Sequence, residues 1–398
     1  MPKKVKSYSE INRRIKDGNA VVVDAEEMIA LVDENGVEVA AGEVDVVTTA
    51  TFGPMCSSGL MLNPGHTKPK IKMQKVWLND VPAYTGIAAV DFYLGATEIR
   101  EGYIPDNSQP SAFSYGGGHV IEDLVKGKEV TLRALSYGTD CYPRKELETQ
   151  LTLDDFNDAY LLNPRNCYQN YNVAINCSNR TIYTYMGKLL PNQTNAHFST
   201  TGQLSPLFND PLYETIGIGS SVFVAGNRGF VYHEGTQHDP SVARRNGIPL
   251  GGAGTLALTA DLKGMNPDFV RGVSLTGYGV SLALGIAIPI PVLNEDIARR
   301  TAVKNSDILA PVVDYSEDYG ERKNSVLSMP SYEELFSGEI EVNGKKVRTS
   351  CMSSYKKALE LAGLLGREIK KGDFTLTEPV KRLNGNNSST PLDIKTKD

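Results

Sequence analysis

The sequence predicts a mixed α/β protein: a mixed-sheet core with helices, glycine-rich turns and a C-terminal helical segment. Three observations predict this class. Capped helical segments alternate with short apolar strand segments in the opening third of the chain. Residues 151–260 are rich in Asn, Gly, Tyr and Thr, which is typical of short strands joined by turns. Near the C-terminus, apolar residues recur at the spacing of an amphipathic helix.

The predicted helices are identified by their ends. Ser7 and Glu10 form a capping-box pattern before INRRIKDG, and Gly18 is placed to end that helix. Asp24 and Glu27 repeat the pattern before EMIALVDENG. The C-terminal helix, within SSYKKALELAGLLGREI, has one apolar face made of Ala358, Leu361, Ala362, Leu365 and Ile369. We expect one domain over residues 1–383, followed by a polar, flexible tail over residues 384–398.

Composition and charge narrow the class of partner. The 398 residues are 40% hydrophobic and 22% charged, as is usual for globular proteins. A net charge of −6 gives no long-range attraction to phosphate backbones or anionic lipid, so neither nucleic acid nor a membrane is a predicted partner. The longest apolar stretch, residues 279–293, is shorter than the ~20 residues that span a bilayer. No apolar run follows the basic N-terminus, so the expected compartment is the cytoplasm.

Two of the five cysteines follow predicted strands. The apolar segment EVDVVTTA leads into TFGPMCSSG, which carries Cys56, and KEVTLRALS leads into YGTDCYPR, which carries Cys141. Because ligands of open α/β sheets bind beyond the carboxyl ends of strands, we predict that these two thiols share one site. Small neighbours surround Cys56, and the cations Arg144 and Lys145 beside Cys141 would favour a thiolate.

The remaining cysteines and the glycine-rich loops carry less information. Buried packing is the commoner role of a cysteine, and Cys167, Cys177 and Cys351 all fit it. The odd number of cysteines and the absence of Cys-x-x-Cys pairs argue against a disulfide framework or a zinc ribbon. The segment GIGSSV lacks the third glycine of a dinucleotide fingerprint, and the chain has no Walker lysine. Nucleotide binding is therefore not predicted.

Several long segments carry a family resemblance: EVDVVTTATFGPMCSSG, VWLNDVPAYTGIAAVDFYLGAT, YGGGHVIEDLVKGKEVTLRA, YGTDCYPRKE, LNPRNCYQNYNVAIN, IYTYMGKLLPN and EGTQHDP. Through them the chain resembles the homocysteine biosynthesis protein family of methanogenic archaea and some anaerobic bacteria. The match extends from about residue 7 to about residue 383. The family's two motif cysteines fall on Cys56 and Cys141.

The resemblance implies an L-aspartate semialdehyde sulfurtransferase activity, in which sulfur replaces the aldehyde oxygen and L-homocysteine forms for methionine synthesis. Sulfide or sulfane sulfur would be the donor, and the family's association with a ferredoxin-like iron–sulfur protein implies the reductant. Two alternatives stay open at this point. The chain could bind a [4Fe–4S] cluster itself, with Cys56 and Cys141 among its ligands, or it could be a sulfur carrier or scaffold for the iron–sulfur partner.

The chemistry of this reaction requires further groups. Loss of water from the sulfur adduct needs a general acid, for which His119, His238 and Asp140 are candidates, although a lone loop histidine is more often a hydrogen-bonded surface residue. Arg144 or Arg165 could bind the α-carboxylate of the substrate as a bidentate fork. Asp80 or Asp140 could pair with the α-amine, although a structural ion pair is as reasonable an interpretation. We also expect a homo-oligomer.

Overall fold

The computed structural model describes residues 5–102, 114–164, 172–235, 241–251, 254–318 and 326–383. Over these residues the α-helices are α1 (Tyr8–Lys16), α2 (Ala25–Asn35), α3 (Val37–Glu43), α4 (Gly117–Val125), α5 (Pro206–Asn209), α6 (Glu295–Arg300), α7 (Tyr332–Phe336) and α8 (Tyr355–Lys371). Short 3-10 helices cover Leu153–Asp155, Gly202–Leu204, Leu262–Gly264, Pro267–Phe269 and Asn305–Asp307.

The strands of the same part of the chain are β1 (Val22–Asp24), β2 (Val46–Pro54), β3 (Gly59–Asn63), β4 (Lys75–Leu78), β5 (Val81–Ala83), β6 (Phe92–Gly95), β7 (Val130–Leu135), β8 (Glu146–Leu151), β9 (Asp158–Leu162), β10 (Val173–Ile175), β11 (Ile182–Thr184), β12 (Gly187–Leu189), β13 (Asn195–Phe198), β14 (Gly217–Ile218), β15 (Ser221–Val224), β16 (Asn227–His233), β17 (Arg244–Arg245), β18 (Ile248–Pro249), β19 (Ala257–Asp261), β20 (Val270–Leu275), β21 (Gly279–Pro291), β22 (Val312–Asp314), β23 (Val326–Ser328), β24 (Glu339–Val342), β25 (Lys345–Cys351) and β26 (Lys381–Arg382).

Three larger sheets organise the strands. A ten-stranded sheet runs in the order β1-β2-β21-β15-β16-β19-β9-β3-β6, with β20 paired to β21. A six-stranded sheet runs β23-β22-β10-β13-β25-β24, and a four-stranded sheet runs β5-β4-β7-β8. The pairs β1–β2, β10–β22 and β13–β25 are parallel, whereas the other described strand pairs are antiparallel. The predicted mixed α/β class is confirmed.

The N-terminal helices begin where their caps predict. The Ser7 side chain accepts a hydrogen bond from the Glu10 N–H, and Asp24 and Glu27 form a complete capping box at α2. Gly36 ends α2 with a positive φ of 82°, a conformation that glycine adopts without strain. The short helix α3 that follows was not predicted, and it precedes the predicted strand β2.

Helix α8 anchors the centre of the ten-stranded sheet. Its predicted apolar face is fully buried and packs across β2 and β21. A Cβ on Gly285 of β21 would lie 2.9 Å from the Leu361 side chain, which shows how closely helix and strand approach. Burying a leucine in this way stabilises the fold by about 1.5–3 kcal/mol. The packing fixes β2, the strand that leads to Cys56. None of the helices in the described part of the chain is long and apolar enough to cross a membrane.

Candidate active site

The first predicted thiol, Cys56, lies in a tight turn at the end of β2. This strand pairs with β21 along its whole length, up to Pro54 opposite Ala283. Beyond the strand, the Met55 N–H still donates to the Leu282 carbonyl at 2.7 Å. A hydrogen bond of 2.9 Å from the Ser58 N–H to the Met55 carbonyl then closes the turn. Cys56 is half-buried there, on a backbone held by both flanking strands.

Ser281 contacts the sulfur directly. Its hydroxyl donates a hydrogen bond of 3.1 Å to the Cys56 Sγ, and the Ser281 side chain is itself fully buried. On the other side of the turn, the Ser57 hydroxyl donates to the Asn163 carbonyl at 2.8 Å. These contacts fix the position of the thiol. A hydroxyl that donates to sulfur also stabilises the negative charge that a thiolate or persulfide carries.

The charge of Cys56 acts on the ionisable side chain of Tyr278. It lies in the turn between β20 and β21, where its N–H donates to the Leu275 carbonyl at 3.0 Å. Partial burial and, after it, the negative charge of Cys56 raise the pKa of Tyr278 above its usual value. Its phenol therefore stays protonated at neutral pH and can donate a proton or a hydrogen bond. The Tyr278 ring also meets the Tyr185 ring, with centroids 6.4 Å apart.

His119 lies on the other side of the sheet from Cys56. Its Nε2 is 3.3 Å from the hydroxyl of Ser274, the cross-strand partner of Val280 in the β20–β21 hairpin. Successive side chains of a strand point to opposite faces, so Ser274 and Val280 share a face that Ser281 does not. Burial lowers the pKa of His119, which favours its neutral form. This placement gives no support to His119 as the general acid for a reaction at Cys56.

The second predicted thiol, Cys141, lies in the exposed turn between β7 and β8. Backbone hydrogen bonds between Thr139 and Tyr142, of 3.0 and 3.1 Å, form the turn. Asp140 is exposed beside the thiol. Arg144 is committed to the backbone, because its guanidinium donates to the carbonyls of Lys68 at 2.8 Å and Pro69 at 3.1 Å.

The structure does not bring the two predicted thiols together. Cys56 precedes the first residue of β3. Cys141 is next to Tyr142, whose ring centroid is 6.1 Å from that of His66, a residue that follows the last residue of β3. The five residues of β3 span about 14 Å, so the thiols lie at opposite ends of this strand. The expectation of a shared crevice is wrong for this arrangement: β7 forms an antiparallel hairpin in a separate sheet instead of lying parallel to β2.

Asp80 and Arg144 are likewise separated. The Asp80 carboxylate pairs with Arg100 at 2.7 Å in the turn after β4, where Asn79 bonds to Thr131 at the start of β7. Arg144 lies beyond the other end of β7, about 17 Å away along the strand. The amine and carboxylate of an α-amino acid share one carbon, so these two side chains cannot bind one substrate molecule together. The predicted residues Arg165 and His238, as well as Cys167, lie outside the described residues.

Two other cysteines have environments that suppress reactivity. Burial raises the pKa of Cys351 to about 12, and burial together with the nearby Asp314 carboxylate raises that of Cys177 to about 11. The Cys351 thiol donates to the Thr200 carbonyl at 3.4 Å, and Gln193 donates to the Cys177 sulfur at 3.3 Å. Thiols of such high pKa hold almost no thiolate at neutral pH, so neither is expected to act as a nucleophile.

Within the described ranges, no three His, Cys, Asp or Glu side chains lie close enough together to hold a metal ion. Cys56 and Cys141, at opposite ends of β3, cannot both ligate one cluster in this arrangement. A [4Fe–4S] cluster shared by these two cysteines therefore does not fit the structure.

Ser281, which donates to the Cys56 sulfur, and Tyr278, whose pKa the charge of Cys56 raises, were not predicted. A signal for one of them is present in LTGYGVS, where glycines flank a tyrosine between two apolar, strand-like segments. The turn can thus be predicted from the sequence. Its proximity to Cys56 cannot be predicted, because 225 positions separate Cys56 from Ser281.

The mixed α/β fold places a half-buried cysteine in a tight turn, with the buried hydroxyl of Ser281 donating to its sulfur. The chain belongs to the family described as homocysteine biosynthesis enzyme, sulfur-incorporation, whose model matches residues 20–376. The family resemblance seen in the sequence is confirmed, and with it membership of an enzyme family.

Two relatives are named L-aspartate semialdehyde sulfurtransferase. The protein of Methanosarcina acetivorans is 52% identical over 387 residues, covering 97% of this chain and 74% of the relative. That of Methanocaldococcus jannaschii is 48% identical over 392 residues, covering 95% and 73%. An uncharacterized protein of Methanothermobacter thermautotrophicus is 32% identical over 343 residues, covering 83% and 72%. No solved structure matches the chain.

Proposed function

We propose that this protein is an L-aspartate semialdehyde sulfurtransferase that forms L-homocysteine, with Cys56 as its working thiol. The activity is supported by the two relatives of that name, each of which covers at least 95% of the chain. The site is supported by one observation above all: Cys56 stands half-buried in a fixed turn with a buried hydroxyl donating to its sulfur.

The overall reaction sets the requirements for the site. An aldehyde and hydrogen sulfide give a thioaldehyde and water, and two electrons with two protons then reduce the thioaldehyde to the thiol. When the sulfur arrives as sulfane sulfur, carried as a persulfide on Cys56, two further electrons and two protons are needed. The terminal sulfur of the persulfide attacks the aldehyde carbon, and a thiolate-forming environment favours this attack. The two further electrons then cleave the S–S bond, which releases Cys56 as a thiolate and leaves a hydroxy-thiol adduct that can lose water.

Loss of water from the adduct requires a proton donor, which we assign to Tyr278. The phenol lies close enough to feel the charge of Cys56, and its raised pKa keeps the proton in place until it is needed. Ser281 acts as a positioning residue that orients the sulfur. Asp140 lies in the turn of Cys141 and would serve a proton transfer there rather than at Cys56.

The electrons come from outside the chain in this proposal. A disulfide between Cys56 and Cys141 would supply one pair, but the two thiols lie at opposite ends of β3. We therefore assign the electrons to an external iron–sulfur, ferredoxin-like protein. Cys141 is exposed at the surface, where an external partner can reach its thiol. Sulfide or a sulfane sulfur compound is the proposed donor of sulfur.

The test is anaerobic turnover by the isolated protein with L-aspartate semialdehyde, polysulfide as the donor of sulfane sulfur and reduced ferredoxin as the reductant, with L-homocysteine measured by mass spectrometry. We expect product from the wild-type chain and none above the uncatalysed background from Cys56→Ser. The variant Cys177→Ser is the matched control and should keep its activity, because a thiol of pKa about 11 takes no part. A folded wild-type chain that makes no homocysteine would contradict the activity, and an active Cys56→Ser variant would contradict the site.

We further propose a cytoplasmic homo-oligomer. One face of the ten-stranded sheet carries Tyr84, Tyr160, Phe230 and Tyr232, each 43–58% exposed, on neighbouring strands and their extension. Exposed apolar faces of this kind are typical of protein interfaces. Sedimentation velocity should show a multimer for the wild type and a smaller species for the double variant Tyr160→Ser, Phe230→Ser. A monomeric wild type would contradict the proposal.

A further inference from the structure

The phenol of Tyr93 lies over a glycine close to the Cys56 turn. Tyr93 belongs to β6, which pairs with β3 so that Gly59, the first residue of β3, lies opposite Gly95. A Cβ on Gly59 would overlap the Tyr93 hydroxyl, so a glycine is required for the hydroxyl to approach the backbone this closely. Gly59 follows Cys56 by three residues, which span at most about 10 Å. A small molecule bound at Cys56 is therefore within reach of the phenol.

The Tyr93 side chain also lies on the same face of the ten-stranded sheet as Ser281, the residue that donates to the thiol. Residues directly opposite each other in neighbouring strands share a face, as do alternate residues of one strand. Alternate residues of β21 lead from Ser281 to Ala287. From there the face is followed through the cross-strand pairs Ala287 with Phe223, Phe223 with Arg228, Phe230 with Thr259, Thr259 with Leu162, Leu162 with Gly59, and Gly59 with Gly95. Tyr93, two residues before Gly95, shares this face with the Cys56–Ser281 contact.

The Tyr93 hydroxyl is an available hydrogen-bond donor. It makes no hydrogen bond with a residue in the described part of the chain, whereas the hydroxyl of the neighbouring Tyr84 donates to Glu98 at 2.7 Å. Burial, and after it the nearby Tyr232, raises the pKa of Tyr93, so the phenol keeps its proton at neutral pH. A neutral phenol donates a hydrogen bond, and hydrogen bonds to an ionised carboxylate are about twice as strong as those between neutral groups.

We propose that Tyr93 binds the α-carboxylate of the substrate while the aldehyde lies at Cys56. This inference rests on the proposed function, which supplies an α-amino acid that carries an aldehyde. In L-aspartate semialdehyde about 4 Å separates the aldehyde carbon from the carboxylate carbon, and a persulfide extends about 2 Å beyond the Cys56 sulfur. The carboxylate then lies within the span of about 10 Å between Cys56 and Gly59. Arg144, which was predicted to bind this carboxylate, donates to backbone carbonyls elsewhere.

The test compares two aldehydes that differ only in the carboxylate, L-aspartate semialdehyde and 3-aminopropanal. In Tyr93→Phe, which keeps the ring, kcat/KM for L-aspartate semialdehyde should fall roughly ten- to a hundredfold, mainly through KM, because one hydrogen bond to a charged group is lost. The value for 3-aminopropanal should stay the same, because this aldehyde has no carboxylate. Tyr84→Phe removes the neighbouring hydroxyl and is the matched control, with no expected change for either aldehyde. Equal losses for both aldehydes in Tyr93→Phe, or a loss confined to kcat, would overturn the proposal.

A binding measurement separates this inference from the proposed function. L-homoserine carries the amine and the carboxylate but no aldehyde, so its affinity is measured without turnover. Saturation-transfer NMR titrations should show that L-homoserine binds at least about fivefold more weakly to Tyr93→Phe than to the wild type, and equally well to Tyr84→Phe. An unchanged affinity in Tyr93→Phe, or no binding by the wild type, would overturn the proposal even if homocysteine forms. A wild-type chain that binds L-homoserine through Tyr93 but makes no homocysteine would contradict the proposed activity alone.

Discussion

The two motif cysteines occupy contrasting environments. Cys56 is half-buried in a turn between strands of the ten-stranded sheet, with a buried hydroxyl donating to its sulfur. Cys141 is exposed in a hairpin turn of the four-stranded sheet, among cations and exposed apolar side chains. The first environment suits chemistry that must be oriented and kept from water, and the second suits exchange with a partner. The contrast suggests that one protein separates the two tasks between two thiols.

The largest expected effect is the loss of homocysteine formation on replacing Cys56, and a comparison with Cys141 distinguishes the roles of the two thiols. Cys56→Ser should lower homocysteine formation from sulfane sulfur by at least about 10³-fold, because no thiol remains to carry the sulfur. Cys141→Ser should lower only the turnover that needs a protein partner at its exposed turn and should retain turnover with a small-molecule reductant, which reaches the site by diffusion. Both rates follow from mass-spectrometric assay of homocysteine. Equal losses in the two variants with both reductants would show that the thiols act as one unit.

Thiol reactivity gives the next largest difference. The pKa of Cys351 is about 12, against 9.0 for an ordinary thiol, so Cys351 holds roughly 10³-fold less thiolate than an ordinary cysteine at pH 8. The pKa of Cys177 is about 11, so Cys177 holds roughly 10²-fold less. Iodoacetamide should therefore label the exposed Cys141 quickly and Cys177 and Cys351 very slowly in the folded protein. Peptide mass spectrometry over a time course measures the rates, and urea-unfolded protein is the control, in which the difference should disappear. Rapid native labelling of Cys351 would contradict its described burial.

How much of this arrangement can be predicted from the sequence depends on the range of the interactions. Caps such as Ser7 with Glu10, and the apolar stripe of α8, are local patterns, and the structure contains them as predicted. The partner of β2 is β21, more than two hundred residues away, and no local pattern specifies that pairing. The same holds for the site: the position of Cys56 after a strand is visible, whereas Ser281 reaches it only through the β2–β21 register.

The predictions that were wrong have the same physical origin, which is strand pairing between distant parts of the chain. The strand preceding Cys141 was correctly placed, but an antiparallel hairpin sends its end to a different part of the molecule from the end of β2. Likewise, Asp80 and Arg144 carry charges that could bind the amine and the carboxylate of an amino acid, yet they lie at opposite ends of β7. Asp80 pairs with Arg100, and Arg144 donates to backbone carbonyls. The chemical type of each candidate residue could be predicted from the sequence, whereas the direction in which each strand runs could not.

Removing the phenol beside Cys56 tests the proton donor. Tyr278→Phe should lower kcat by about 10²-fold, the usual contribution of a general acid, while the KM for L-aspartate semialdehyde changes little. Because the pKa of Tyr278 is raised, the wild-type phenol remains protonated as the pH rises, so activity should persist to a higher pH than an ordinary tyrosine would allow. The variant should lose any alkaline decline that is due to this group. Tyr185→Phe, which alters a neighbouring ring outside the turn, is the matched control, and a comparable loss there would argue for packing instead.

The smallest effect is expected at Ser281, which orients the sulfur without taking part in bond making. Ser281→Ala removes one hydrogen bond to a charged sulfur, worth about 1.5–3 kcal/mol, so kcat should fall by roughly ten- to a hundredfold. The loss should be greatest at low pH, because the thiolate or persulfide anion is no longer stabilised, and the acid limb of the kcat/KM profile should move to higher pH. Ser281→Thr keeps the hydroxyl and should recover much of the rate. A uniform loss at every pH, with no recovery by threonine, would mean that Ser281 merely fills space behind the turn. In that case the orientation of Cys56, which distinguishes it from the exposed Cys141, would be due to the backbone of the turn alone.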